Sequence, residues 1–203
     1  MEQEKEIEFK SLMDKKKWKK AMEKVMQFAD KKGTYKQTNY YFDTKEHVLK
    51  DKKITCRLRQ KEDKWEATVK IKRVNSNGAA ESIERNLPLD EPTASKILQE
   101  GMKTNEALLQ PLFQGIELTE GAVLHLLGEL TTTRTDFQYY QDVISFDESE
   151  YLDQKDYELE WETTNEKSTL FLVKEVLNVP IGNAKGKKNR FLDAVEKKQK
   201  ARG

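Results

Sequence analysis

Four short segments of the chain carry like-charged residues two positions apart: Glu6 and Glu8, Arg57 and Arg59, Lys70 and Lys72, and Glu158 and Glu160. Carboxylates are hard oxygen donors suited to Mg2+ or Mn2+, while guanidinium and ammonium groups suit phosphate oxygens. Placed beside one another in one cavity, the two sets form a mould for a polyanion together with a divalent metal. As plain strand surface such pairs gain nothing, because like charges side by side repel unless opposite charge lies between them.

The elements that must position these residues are strands. Side chains alternate faces along a strand, so residues two apart share one. Glu6, Glu8 and Lys10 therefore oppose Ile7 and Phe9, and Arg57 and Arg59 oppose Ile54, Cys56 and Leu58. In the same way Glu66, Thr68, Lys70 and Lys72 oppose Trp65, Ala67, Val69 and Ile71. Arg134 lies with Asp136, and Glu158, Glu160 and Glu162 oppose Tyr157, Leu159 and Trp161. Strand patterns run over about 4–11, 35–43, 54–60, 64–74, 81–87, 129–138, 142–148 and 155–163. Helical spacing marks a first helix capped by Asp14 and ended by Gly33, with Trp18, Ala21, Met22, Val25, Met26 and Ala29 on one stripe. A helical middle is expected from Pro92 to about Leu127. Two helices close the chain, one around Leu170, Val173, Val176 and Leu177 and one from about Lys187.

The apolar stripes of the helices need a surface to cover, and the apolar faces of the strands offer one. With no Gly/Ser or Pro linker, one domain over residues 1–203 is expected. The expected fold is α+β: an eight-stranded antiparallel closed β-barrel, polar inside and clad by helices outside.

Composition removes most competing chemistry. One cysteine, Cys56, excludes an internal disulfide and a CxxC site, and the distant His47 and His125 make no zinc cluster. Cys56 falls on the apolar face of its strand, and His125 in the apolar helix expected there, so both are expected to be packed. A phosphate-binding G-x-x-x-x-G-K-[ST] loop is absent. The 37 Lys and Arg nearly cancel the 36 Asp and Glu, so no nucleic-acid partner is expected. Lys15, Lys16, Lys17, Lys19 and Lys20 are read as a solvated helix face. No apolar stretch is long enough to suggest a membrane partner or a leader, so a cytoplasmic protein is expected.

The ordered set of motifs resembles the CYTH proteins, also called triphosphate tunnel metalloenzymes, a family that includes thiamine triphosphatases, inorganic triphosphatases and class IV adenylyl cyclases. Glu6-Ile7-Glu8-Phe9-Lys10 matches the family's ExExK pattern. Tyr41-Phe42-Asp43-Thr44, Arg57-Leu58-Arg59, Lys70-Ile71-Lys72, Arg134, Asp147 with Tyr151, Glu158-Leu159-Glu160 and the segment from Ala184 to Phe191 follow in order. The resemblance implies a triphosphate-binding tunnel with one or two Mg2+ or Mn2+ ions. It implies Glu6, Glu8, Glu84, Asp147, Glu158 and Glu160 around the metal. Lys10, Arg57, Arg59, Lys70, Lys72, Arg134, Lys185, Lys187 and Arg190 correspond to the phosphate-binding residues, and Glu6, Glu8, Lys10 and Lys187 stand as the catalytic set. Two departures are visible: Gly186-Lys187-Lys188 replaces the usual Ser-Lys-Tyr, and Ser82 with Glu84 stands where two acidic residues are common. The activity implied is metal-dependent hydrolysis of tripolyphosphate, thiamine triphosphate or a nucleoside triphosphate. Cyclisation of ATP and polyphosphate binding without turnover are the alternatives.

Overall fold

A computed structural model describes residues 7–74, 80–180 and 185–200 of the chain, so Glu6 lies outside the described residues. It divides into two compact units, Met1–Lys36 with Thr131–Gly203, and Gln37–Leu130.

The first unit contains β1 (Ile7–Met13), α1 (Lys15–Val25) and the start of β2 (Asp30–Asp43). It also contains the later part of β7 (Val123–Tyr139), β8 (Asp142–Tyr151) and β9 (Gln154–Thr163). Helix α5 (Glu166–Phe171) runs on into a π-helical turn, Leu172–Val176, and α6 spans Lys187–Lys200. β9 pairs antiparallel with both β1 and β8, in a register that sets Lys10 opposite Glu160, and β8 pairs antiparallel with β7, setting Arg134 opposite Asp147. Asp14 caps α1, its side chain accepting from the Lys17 N–H at 2.8 Å. The α1 stripe of Trp18, Ala21 and Val25 packs against Phe146, Tyr157, Leu159 and Trp161 of the sheet. Trp161 is fully buried, and its indole N–H donates to Asp142 Oδ2 at 2.8 Å. Burial of each such side chain contributes roughly 1.5–3 kcal/mol.

The second unit contains the rest of β2, α2 (Val48–Asp51), β3 (Ile54–Lys61), β4 (Lys64–Val74) and β5 (Ala80–Leu89). It continues through α3 (Glu91–Glu100), the two-residue β6 (Met102–Lys103), α4 (Gln110–Phe113) and the first part of β7. β2, β3, β4 and β5 pair in sequence, all antiparallel. Cys56, Leu58, Trp65, Ala67 and Val69 form the apolar face, and Ala94, Ile97, Leu112 and Phe113 cover it. Cys56 is fully buried, as its place on the strand requires.

The hydrogen-bonded strand order among the described residues, β1-β9-β8-β7-β2-β3-β4-β5, has two ends, so closure into a barrel is not shown, and a ninth strand, β6, pairs with β7 off this path. Two expectations change. Gly33 does not end α1. The helix stops at Val25 with Met26 as its C-cap, and Gly33 lies inside β2. Leu124, His125 and Leu127 belong to β7 rather than to a helix, and His125 is exposed rather than packed. The run Val-Leu-His-Leu-Leu has no clear period of 2 or 3.6, and pairing of Leu124 with Met102 decides it as strand.

Candidate functional site

In the first unit the alternation of β1, β7, β8 and β9 brings charged side chains together on one face. Lys187, the first residue of α6, places its Nζ 2.6 Å from Glu160 Oε1, 2.7 Å from Asp147 Oδ2 and 3.0 Å from Glu158 Oε2. Arg134 grips both Asp147 oxygens at 2.7 Å and also donates to Glu160 Oε2. Lys10 bridges Glu8 Oε1 at 2.8 Å and Glu160 Oε1 at 3.2 Å. Arg190, one helical turn beyond Lys187, donates from Nε to Asp156 Oδ2 and from Nη2 to Glu158 Oε2, both at 2.7 Å. Asp147, Glu158 and Glu160 are 0, 1 and 6% exposed, a burial that carboxylates sustain only when paired. Burial by itself would raise the Glu160 pKa, but Lys187, Arg134 and Lys10 outweigh it and hold the carboxyl well below its usual range. The converse holds at Lys187: burial favours the neutral amine, and the fields of Glu160, Asp147 and Glu158 override it and raise its pKa.

In the second unit the polar face carries Asn39 and Tyr41, Arg57 and Arg59, Thr68 and Lys70, and Glu84 and Asn86, aligned by the β2–β3–β4–β5 register. Arg59 Nε donates to Asn39 Oδ1 at 3.2 Å, and Lys70 Nζ lies 2.5 Å from Glu84 Oε1. Burial pushes the Glu84 pKa up, yet the hydrogen bond and charge of Lys70, with the fields of Arg57 and Arg59, bring it below its ordinary value. Lys72 is exposed.

Of the residues expected at a site, Glu8, Lys10, Arg134, Asp147, Glu158, Glu160, Lys187 and Arg190 form one cluster, and Arg57, Arg59, Lys70 and Glu84 share another face. Lys185 does not join the first cluster: it is exposed, and its Nζ pairs with Asp193 Oδ2 at 2.6 Å on the outer side of α6. Sequence reasoning missed Asp156, whose only signal was its place two residues before Glu158. The conspicuous Asp43 is fully buried and structural, its carboxylate accepting from the N–H groups of Thr44, Leu49 and Lys50 and so capping α2.

Asp136 is held on the same face as Arg134 by Tyr35, whose hydroxyl donates to Oδ2 at 2.9 Å, and by Ser145, which donates to Oδ1 at 2.7 Å. Burial first, then the hydrogen bond and charge of Asp136, push the Tyr35 phenol up to about 12, with Arg134 opposing. A raised phenol stabilises the fold fully below its unfolded-state pKa of about 10 and loses that contribution as pH rises toward 12. The Tm advantage of wild type over Tyr35→Phe should therefore shrink between about pH 10 and 12. Thermal melts of the two proteins check this, and parallel curves would refute it.

Two buried side-chain atoms among the described residues have no hydrogen-bond partner, Arg57 Nε and Glu158 Oε1. The first is a cationic donor and the second an anionic acceptor, and each is costly to leave unsatisfied. Carboxylate oxygens suit a hard divalent cation, and Glu158 Oε1 is a buried carboxylate oxygen without a hydrogen-bond donor. Among the described residues no three Asp, Glu, His or Cys side chains form a metal-ligating group. The point where Asp147, Glu158 and Glu160 converge is taken by the Lys187 ammonium.

An antiparallel sheet with helices on its apolar faces, and with carboxylates and cations interleaved on the opposite faces, is the class of α+β protein defined here. A model of the CYTH domain matches residues 4–190, and the chain belongs to the CYTH family. It is 27% identical over 201 residues to a Bacillus subtilis protein named "Putative triphosphatase YjbK", covering 99% of this chain and all of that one. Among solved structures, a Bacillus halodurans protein described as a "putative adenylate cyclase" is similar with a TM-score of 0.74 and 26% identity, covering 93% of this chain and 97% of that one. A Hippeastrum protein, HpAC1, described as a putative adenylyl cyclase with "a dominant triphophatase activity", shares the fold with a TM-score of 0.77 at 20% identity, over 94% of this chain and 96% of that one. No helix among the described residues is long and apolar enough to cross a membrane.

Proposed function

We propose that this protein hydrolyses the phosphoanhydride bond of a triphosphate with the help of a divalent metal. The observation that carries this function is Arg57 Nε, a buried cationic N–H with no acceptor, on a face that also presents Arg59 and Lys70. A buried donor of this kind suits an anionic oxygen brought by a ligand. Support also comes from the family membership and from the triphosphatase name of the Bacillus subtilis relative.

Arg57, Arg59, Lys70 and Lys72 bind phosphate oxygens and spread their charge. Lys10, Arg134 and Lys187 meet negative charge that grows as the terminal phosphoryl group transfers to water, giving orthophosphate, a diphosphate and a proton. Glu8 and Glu158 would hold Mg2+ or Mn2+, with Glu6, Glu84, Asp147 and Glu160 as the further acidic residues implied for it. When bound, such an ion supplies Lewis acidity at phosphate oxygens and at water. Lys185 and Arg190 were implied as phosphate ligands; the exposure of Lys185 and the carboxylate contacts of Arg190 argue for other roles. A single tunnel domain over residues 1–203, its strands closed, cytoplasmic and acting on a small molecule, belongs to the same proposal.

Resemblance to the Bacillus halodurans protein favours one second activity, cyclisation of ATP. Tripolyphosphate, thiamine triphosphate and ATP, each assayed with Mg2+, Mn2+ and Ca2+, separate the two. Orthophosphate release is expected; pyrophosphate with cyclic AMP and no orthophosphate would establish the cyclase instead. Arg57→Ala should weaken tripolyphosphate binding by about 2 kcal/mol, roughly thirtyfold. An unchanged affinity by calorimetry would remove Arg57 from the site.

A further inference from the structure

The two oxygens of Glu158 are treated differently by their surroundings. Oε2 accepts from Arg190 Nη2 at 2.7 Å and lies 3.0 Å from Lys187 Nζ, while Oε1 is buried with no partner. This happens in a place rich in donors, where Lys187, Arg134 and Arg190 together hold every other carboxylate oxygen of the Asp147–Glu160 group that they reach. What keeps Glu158 turned this way lies behind it. The Arg190 guanidinium is fixed at three points: Nη2 on Glu158, Nε on Asp156 Oδ2 at 2.7 Å, and Nη1 on the Lys185 carbonyl at 2.5 Å. Asp156 and Glu158 are two apart on β9 and would repel, and the planar Arg190 fork spans them, a geometry an ammonium cannot reproduce. Asp156 is in turn held by the buried Tyr151, whose hydroxyl donates to the same Oδ2 at 2.6 Å and whose ring meets Phe191 edge-on.

We propose that Tyr151, Asp156 and Arg190 form a positioning relay that holds Glu158 by Oε2 and so presents Oε1 as a ligand for a divalent cation. This rests on the metal-dependent triphosphatase function proposed above. It gives Arg190 a role other than phosphate binding: it touches no substrate and acts through Glu158. Tyr151 and Asp156, which the charge pattern did not single out, gain a role in metal affinity. Hydrogen-bonded supports of this kind set how well a ligating carboxylate is oriented, and their removal typically costs about 10–100-fold in metal affinity.

The alternative is that the relay merely docks α6 on the sheet, and stability alone would then respond. The test is Mn2+ binding to the full-length protein without triphosphate, followed by the electron paramagnetic resonance of free Mn2+, with a thermal melt of each protein. Asp156→Asn and Arg190→Lys should weaken Mn2+ binding about tenfold or more. Tyr151→Phe, which keeps the ring and loses only the hydroxyl, should weaken it by a smaller factor while its melting curve stays close to wild type. Raising Mn2+ in the triphosphatase assay should restore kcat in Asp156→Asn, so that the loss is in the metal requirement. If the variants bind Mn2+ as tightly as wild type while wild type binds Mn2+ and hydrolyses tripolyphosphate, the relay is structural and the inference fails alone. If wild type neither binds Mn2+ nor hydrolyses any triphosphate, the proposed function fails and takes the relay with it.

Discussion

Replacing Lys187 with methionine should destabilise the protein by about 3 kcal/mol or more and lower triphosphatase activity on the order of a hundredfold. Among the described residues the ammonium is the one cation within 3.0 Å of Asp147, Glu158 and Glu160 together, and all three carboxylates are nearly inaccessible to water. Methionine fills the volume but returns none of the charge, leaving buried anions that Arg134 and Arg190 only partly compensate. For a chain of this length the loss corresponds to a Tm lower by roughly 6–12 °C. Lys187→Arg should recover part of the stability, because a planar fork cannot aim one N–H group at three carboxylates around a single point. Mn2+ should raise the Tm of Lys187→Met more than that of wild type, since the oxygens the ammonium vacates suit a hard cation. Calorimetric melts with and without Mn2+ check all three statements. A wild-type Tm in Lys187→Met would mean that the carboxylates do not depend on this residue.

Glu8→Ala should have the opposite profile, a large loss of activity with little loss of stability. The Glu8 side chain is 31% exposed, and its ion pair to Lys10 at 2.8 Å is of the partly solvated kind worth no more than about 1 kcal/mol. Lys10 retains Glu160 when Glu8 is gone. If Glu8 holds the metal, kcat/KM should fall on the order of a hundredfold or more, several kcal/mol of transition-state stabilisation. The measurement is turnover of tripolyphosphate at saturating Mg2+ or Mn2+, alongside a melting curve. Wild-type turnover in Glu8→Ala would remove Glu8 from the metal site, whatever the melting curve shows. Compared side by side, the two variants would separate charge that holds the fold together from charge that serves a ligand.

Much of this was legible along the chain because a strand repeats every two residues. The alternation in Arg57-Leu58-Arg59 and Glu158-Leu159-Glu160 put charge on one face and apolar side chains on the other, and Leu58 and Leu159 are indeed in the cores while their neighbours line the polar faces. Asp14 announced the start of α1 by a local hydrogen bond that reaches only three positions along the chain. Where periodicity was ambiguous, local reading failed: the apolar run from Val123 lies in a strand because a distant residue, Met102, pairs with Leu124. Lys185, Lys187 and Arg190 are equivalent by type, but Lys187 and Arg190 lie three apart in α6 and share a face toward the sheet, while Lys185 precedes the helix and turns to Asp193.

By itself, then, the sequence determined which residues are charged, which face of each strand they occupy and, through the order of its motifs, the family to which the chain belongs. Tertiary structure decided which charges meet. Lys10 lies 150 positions from Glu160 and Arg190 lies 32 from Glu158, and only strand register and the docking of α6 bring them within bonding distance. That is why Glu158 could be named from its pattern, while the unequal partnering of its two oxygens could not: an ion pair depends on geometry across the fold, which no spacing along one strand encodes.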